Sequence, residues 1–122
     1  MQQEVMGMSG KLIKDYAIVG NLVFTSGMTG EPGDVKAQIE KTLDKLRKAL
    51  EEAGTSFENV VKGTVYLADL KDRERYLNDL WRKSFPKNPP ARTCVQAGLA
   101  PGTAVEIELV AMIPKSRLAG EL

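Results

Sequence analysis

The sequence predicts an α+β domain with its elements in the order ββαβαββ, a sheet carrying two helices on one face. Three observations lead there. Two β-prone runs are split by a Gly-Asn turn signal, a long stretch repeats its apolar residues every three or four positions, and three further runs alternate or concentrate β-branched residues.

The first two strands are Tyr16-Ala17-Ile18-Val19 and Leu22-Val23-Phe24-Thr25-Ser26, a β-hairpin about Gly20-Asn21. Gly27 to Gly33 reads as a loop. From Asp34, the positions of Val35, Ile39, Leu43, Leu46 and Leu50 mark one face of a helix of about five turns. Asp34 is placed to cap its start and Gly54 to end it in the left-handed conformation. Lys36, Glu40, Lys41, Asp44, Arg47, Lys48, Glu51 and Glu52 populate its solvated faces. Val60 to Leu67 is the third strand, and alternation divides Val61, Gly63, Val65 and Leu67 from Lys62, Thr64 and Tyr66.

A second helix is expected from about Asp72 to Phe85, with Leu77, Leu80, Trp81 and Ser84 inward. Prolines at 86, 89 and 90 forbid its continuation. The last strands are Ala91 to Ala97 and Thr103 to Met112, joined across Gly98-Leu99-Ala100-Pro101-Gly102. Strand parity puts Val105, Ile107, Leu109 and Ala111 on one face and Glu106, Glu108 and Val110 on the other, while Arg92, Cys94 and Gln96 share a face. With the helices over the apolar side, the opposite side is expected to carry Arg, Glu, Lys, Thr, Tyr, Cys and Val together. Such a mixed face suits a subunit interface with polar pockets.

Composition narrows the function. The 122 residues fit a single domain, 1–122, large enough to bury a core without disulfides or a structural metal. Seventeen basic against sixteen acidic residues leave no excess charge to steer the chain to nucleic acid, so a dedicated nucleic-acid binder is disfavoured. The first residues, Met1-Gln2-Gln3-Glu4-Val5-Met6, lack the basic and apolar regions of a signal peptide, no apolar stretch approaches a membrane span, and one cysteine allows no internal disulfide. A cytoplasmic location is expected. The chain contains no histidine, which excludes Ser-His-Asp and Cys-His catalysis and His-containing zinc sites. Proton transfer then falls to carboxylates, Tyr, Lys, Cys94 or water.

Against that background Pro89-Pro90-Ala91-Arg92-Thr93-Cys94-Val95 is the best lead to a site. A guanidinium on a rigid strand after two prolines is shaped to grip a carboxylate through two parallel hydrogen bonds. Glu106 would supply an acid or base beside it. The bland alternative is a solvated surface ion pair contributing little.

Five stretches in order resemble the RidA/YjgF family of reactive-intermediate deaminases, also called the L-PSP endoribonuclease family. They are Val19-Gly20-Asn21-Leu22-Val23-Phe24-Thr25-Ser26-Gly27; Val60 to Leu70; Asn78 with Trp81 and Phe85; Pro89 to Val95; and Val105-Glu106-Ile107-Glu108. The resemblance implies a chorismate-mutase-like fold, one mixed sheet with two helices packed on one face, assembled as a homotrimer with clefts between subunits. It also implies hydrolysis of 2-imino acids, such as 2-iminobutanoate and 2-iminopropanoate, to the 2-oxo acid and ammonia, with no cofactor and no metal. By resemblance Arg92 grips the substrate carboxylate, the Cys94 backbone meets the imine or oxo group, Glu106 positions the attacking water, and Asn78, Ser26 and Gly27 shape the cleft.

Two departures stand out. Where the family commonly has a substrate-touching tyrosine, seven residues before Gly20, this chain has Ile13, and Tyr16 would face the other way on a strand. Met28 replaces the usual glutamine after Ser26-Gly27, and the following loop is shorter. A more apolar rim at Ile13, Tyr16 and Met28 admits either a larger enamine, such as an amino-muconate, or the same small substrate through an altered entrance. Two other readings remain open by resemblance: a non-catalytic trimer that binds small carboxylates in a chaperone-like role, and an endoribonuclease.

Overall fold

The hairpin forms where the turn chemistry placed it: β1 (Tyr16–Val19) pairs antiparallel with β2 (Leu22–Thr25), and Gly20 takes the turn with φ 61°. The structure, a computed structural model, describes residues 12–115. After the hairpin come α1 (Val35–Ala53), β3 (Val60–Leu67), α2 (Asn78–Ser84), β4 (Ala91–Gln96) and β5 (Val105–Met112). The five strands make one mixed sheet in the order β1-β2-β5-β3-β4. Only β3 and β4 run parallel, as a connection through a helix requires; the other neighbours are antiparallel.

Helix α1 begins and ends on the two residues expected. Asp34 accepts a 2.8 Å hydrogen bond from the Ala37 N–H, and Gly54 stops the helix at φ 97° while its N–H reaches back to the last carbonyls. Ile39, Leu43, Leu46 and Leu50 are buried over β2 and β5. Each such side chain removed from water stabilises the fold by about 1.5–3 kcal/mol. Between them sits a buried amide, Gln38. Its Nε2 donates to the Gly33 and Gly102 carbonyls at 2.8 and 3.0 Å, and its Oε1 accepts from the Ala104 N–H at 2.8 Å. With these bonds the first turn of α1 ties together the loop leaving β2 and the loop entering β5.

Two expectations need correction. The alternation in β3 does not start at Val61: Val60 is buried and pairs with Ala111, Val61 is 47% exposed, and Lys62 already faces Val110. The extra residue is a β-bulge, which swaps the face of the one residue before it. The second helical segment is not uniform either. A π-helical turn, Arg73–Leu77, precedes α2, and the Asn78 N–H bonds to the Arg73 carbonyl five residues back. Leu77, Leu80 and Trp81 are buried as expected, but Phe85 rather than Ser84 completes the inner face. Phe85 stacks between Trp81 and Phe57, at centroid distances of 4.7 and 4.8 Å.

The core lies between the helices and one face of the sheet, where Val23, Val65, Leu67, Val105, Ile107, Leu109 and Ala111 are all buried. The other face is uncovered in the single chain, and Phe24, Val95 and Met112 on it are about 40% exposed. Among the described residues no helix is long and apolar enough to cross a membrane.

Candidate active site

Two groups of candidate residues emerge, and they occupy opposite faces of the sheet. In the β3–β4 ladder Arg92 lies opposite Gly63 and Cys94 opposite Val65, so both project toward the helix layer. Glu106 lies opposite Tyr66 in the β3–β5 ladder and projects to the uncovered face. The expectation that Arg92, Cys94 and Glu106 share the uncovered face is therefore wrong. Strand pairing decided it: the parity of β4 relative to β5 is set through β3, and neither strand's own sequence contains that register. Arg92 and Glu106 stand three residues apart along β3, roughly 10 Å, and on strands two spacings apart, about 9.6 Å. In one chain they cannot hold the same small molecule.

Arg92 is half-buried at the sheet edge. Its Nη2 donates to Asn78 Oδ1 at 3.0 Å, and its guanidinium carbon lies 5.3 Å from the centroid of the Trp81 ring. Asn78 and Trp81, three residues apart at the start of α2, present one face to it. Among the described residues no carboxylate pairs with Arg92, so its charge is free for an anion. The Cys94 thiol sits beside it against the core. Burial pushes that thiol above its ordinary value, with Arg92 and Arg73 pulling partly the other way. A thiol held protonated is a poor nucleophile.

Glu106 is seated by Gly27. The Glu106 carboxylate occupies the space a Cβ on residue 27 would need, with the carboxyl carbon 2.9 Å and Cγ 3.1 Å from that position. The close approach is fixed next door, where Met28 and Ile107 exchange backbone hydrogen bonds of 2.9 and 3.0 Å. Ser26 anchors the segment before β1, donating its hydroxyl to the Lys14 carbonyl at 2.5 Å and its N–H to the Asp15 carbonyl at 2.9 Å. Ser26 thus builds the wall, its hydroxyl already engaged. A groove of about 870 Å³ opens here, lined by Ile13, Ser26, Gly27, Met28 and Glu106 and flanked by Lys45, Ala49 and Glu52 of α1. Ile13 and Met28 are among the residues that line it. Tyr16 is not: it packs on the core, where partial burial and the nearby Glu52 carboxylate raise its hydroxyl pKa.

At the loop end, Thr103 Oγ1 donates to Glu31 Oε2 at 2.5 Å. Hydrogen bonds from Thr103 and Thr29 hold the Glu31 carboxyl down at about 2. Glu31 and Gln38 brace the loops that frame Gly27 and Glu106.

The sequence matches the family described as Endoribonuclease L-PSP over residues 9–113. The chain belongs to the RidA/YjgF (L-PSP) family. It is 37% identical over 102 residues to a RutC family protein of Pyrococcus abyssi, covering 76% of this chain and 80% of that protein. It is 36% identical over 102 residues to Protein DfrA of Myxococcus xanthus, covering 76% and 77%. Among solved structures, RidA from the Antarctic bacterium Psychrobacter sp. superposes with a TM-score of 0.79 at 33% identity, covering 84% of this chain and 89% of that one. A member of the YjgF/YER057c/UK114 family from Mycobacterium tuberculosis gives 0.78 at 32% identity, covering 86% and 90%. This RidA/YjgF chain thus has the family's mixed sheet and two helices.

Trp81 is a core residue, as its place on the inner helix face predicts, and it also lies beside Arg92. The sequence signal for that neighbourhood is its spacing of three from Asn78, which puts the indole and the amide on one helix face. Gly63 was visible only as an apolar-face position; that it clears room for the indole is a tertiary fact.

Proposed function

We propose that this RidA/YjgF protein is a hydrolytic deaminase of reactive 2-imino acids and their enamine tautomers, with each active site formed between two copies of the chain in a homotrimer. The observation that carries the reading is the separation of Arg92 and Glu106 onto opposite faces. Each chain presents two half-sites, a cation poised for a carboxylate and an acid in a groove, and only a second copy can bring them together. The exposed apolar side chains Phe24, Val95 and Met112 on the uncovered face fit burial against that copy.

The chemistry asks for little beyond placement. Arg92 binds the substrate carboxylate and, with the Cys94 backbone, orients the C=N bond. Glu106 of the adjoining copy accepts a proton from water as its oxygen bonds to the imine carbon, and passes that proton to the imine nitrogen. The resulting carbinolamine collapses when Glu106 takes the hydroxyl proton and delivers it to the amine, which departs as ammonia as the C=O bond forms. The products are the 2-oxo acid and ammonia, and no covalent intermediate forms.

A second reading concerns substrate size. Ile13 and Met28 line the groove with Glu106, and their apolar side chains favour a bulkier enamine such as an amino-muconate. RNA cleavage finds less support, since the net charge is only +1 and no histidine is present to shuttle protons.

The test generates 2-iminobutanoate in situ with a threonine dehydratase and follows 2-oxobutanoate while semicarbazide competes for the imine. Acceleration by this protein supports the deaminase; none with 2-iminobutanoate or with larger imines and enamines sinks it. Sedimentation at the mass of a single chain would remove the shared site.

A further inference from the structure

The surroundings of Arg92 contain a second support besides Asn78. The Trp81 ring lies under the guanidinium, and its own position is narrowly determined. Trp81 is 6% exposed and tilted against Phe85. Its ring also reaches over Gly63: a Cβ there would stand 2.6 Å from the indole Cη2, 3.0 Å from Cζ2 and 3.2 Å from Leu109 Cδ2. Gly63 is the residue opposite Arg92 in the β3–β4 ladder. The missing side chain on β3 therefore opens the space through which an indole reaches the arginine next door.

We propose that Trp81 is a positioning residue of the binding site, its ring face holding the Arg92 guanidinium ready for the substrate carboxylate, with Gly63 as the clearance that allows it. The inference rests on the reading of Arg92 as the carboxylate clamp. A free arginine has several rotatable bonds, and ordering it on binding weakens affinity. A carboxylate partner would hold the guanidinium equally well, but it would neutralise the charge and occupy the N–H donors the substrate needs. An aromatic face attracts the cation through its quadrupole and uses none of those donors. Asn78 Oδ1 takes a single N–H, so face and edge are fixed while most of the fork stays available.

Four variants test this, Trp81→Leu, Trp81→Phe, Gly63→Ala and the double Gly63→Ala/Trp81→Phe, with Arg92→Ala as the control. The readouts are the calorimetric Kd for 2-oxobutanoate, KM and kcat with 2-iminobutanoate, and the NMR signal of the Arg92 Nε–H. Trp81→Leu should weaken oxo-acid binding roughly three- to tenfold and raise KM in parallel. Its kcat should stay within about twofold, because the support acts on ground state and transition state alike. The Arg92 Nε–H signal should lose the ring-current shift of the indole. Gly63→Ala should weaken binding with Trp81 still present, by pushing the indole from its seat. Adding Trp81→Phe should recover part of that loss, since the smaller ring leaves room for the methyl group. A purely structural role for Trp81 predicts losses of stability alone, with a Kd unmoved in every Trp81 and Gly63 variant and so no binding for the double variant to recover.

If Arg92→Ala abolishes binding while Trp81→Leu and Gly63→Ala bind like the parent, the positioning role is wrong and the clamp stands. If Arg92→Ala binds normally, the clamp itself is wrong. Should Trp81→Leu fail to fold, Gly63→Ala and the double variant decide the question alone.

Discussion

Replacing Gly27 by alanine should disable the proposed deamination without touching either charged residue. Gly27 has no positive φ, so alanine meets no backbone penalty there. Its methyl group would fall on the Glu106 carboxylate, with the carboxyl carbon only 2.9 Å away. Restoring an ordinary separation of ~3.5 Å requires the carboxyl carbon to move by about 0.6 Å and the nearer oxygen, Oε2, by roughly an ångström. Because the clash is with the end of a flexible side chain rather than with backbone, the stability change should be small, about 1 kcal/mol or less. The catalytic effect should be much larger, since a misplacement of about 1 Å can slow a reaction by about 100-fold, some 2.7 kcal/mol in the barrier. The semicarbazide-competition assay measures kcat, and calorimetry with 2-oxobutanoate measures whether the Arg92 half of the site still binds. The expected result is a kcat lowered ten- to a hundredfold, again about 1.4–2.7 kcal/mol, with oxo-acid affinity nearly unchanged. Full activity in Gly27→Ala, with Glu106 displaced in its crystal structure, would remove the placed carboxylate from the mechanism.

Four other outcomes are expected. Arg92→Ala should lose about 2–5 kcal/mol of 2-oxo acid binding and Arg92→Lys should also be severely impaired, whereas Glu106→Gln should bind the oxo acid and lose most of the rate; titration beside the coupled assay separates the two. Ile13→Tyr with Met28→Gln should shift preference toward small imines, read from relative rates across imino acids of increasing side-chain size. Alkylation of Cys94 by iodoacetamide at pH 7 should be slower than that of free cysteine, because burial raises the thiol pKa and lowers its thiolate fraction. Glu31 is held at about 2 against an ordinary 4.5, so its stabilising contribution is complete above pH 4.5 and fades as pH falls through about 2. Thr103→Val should move the Glu31 carboxyl titration, followed by carbon NMR, upward toward the ordinary value.

Local chemistry made much of this fold legible in the sequence. Asp34 and Gly54 delimit α1, Gly20 turns the hairpin, and the parity of β5 sends Ile107 inward and Glu106 outward, all because caps, turns and alternation depend on residues a few positions apart. The resemblance that picked out Arg92, Cys94, Asn78 and Glu106 likewise rests on short runs of sequence. What tertiary structure decided were relations between distant segments. The face taken by Arg92 follows from its pairing with Gly63 and the bulge at Val61 from the fit of β3 to β5, while the π turn before Asn78 lies packed against α1. Trp81 became a neighbour of Arg92 because residue 63, far from both in the chain, has no side chain. Strand register and close contact are set by the whole core acting at once, and no local stretch of sequence contains that information.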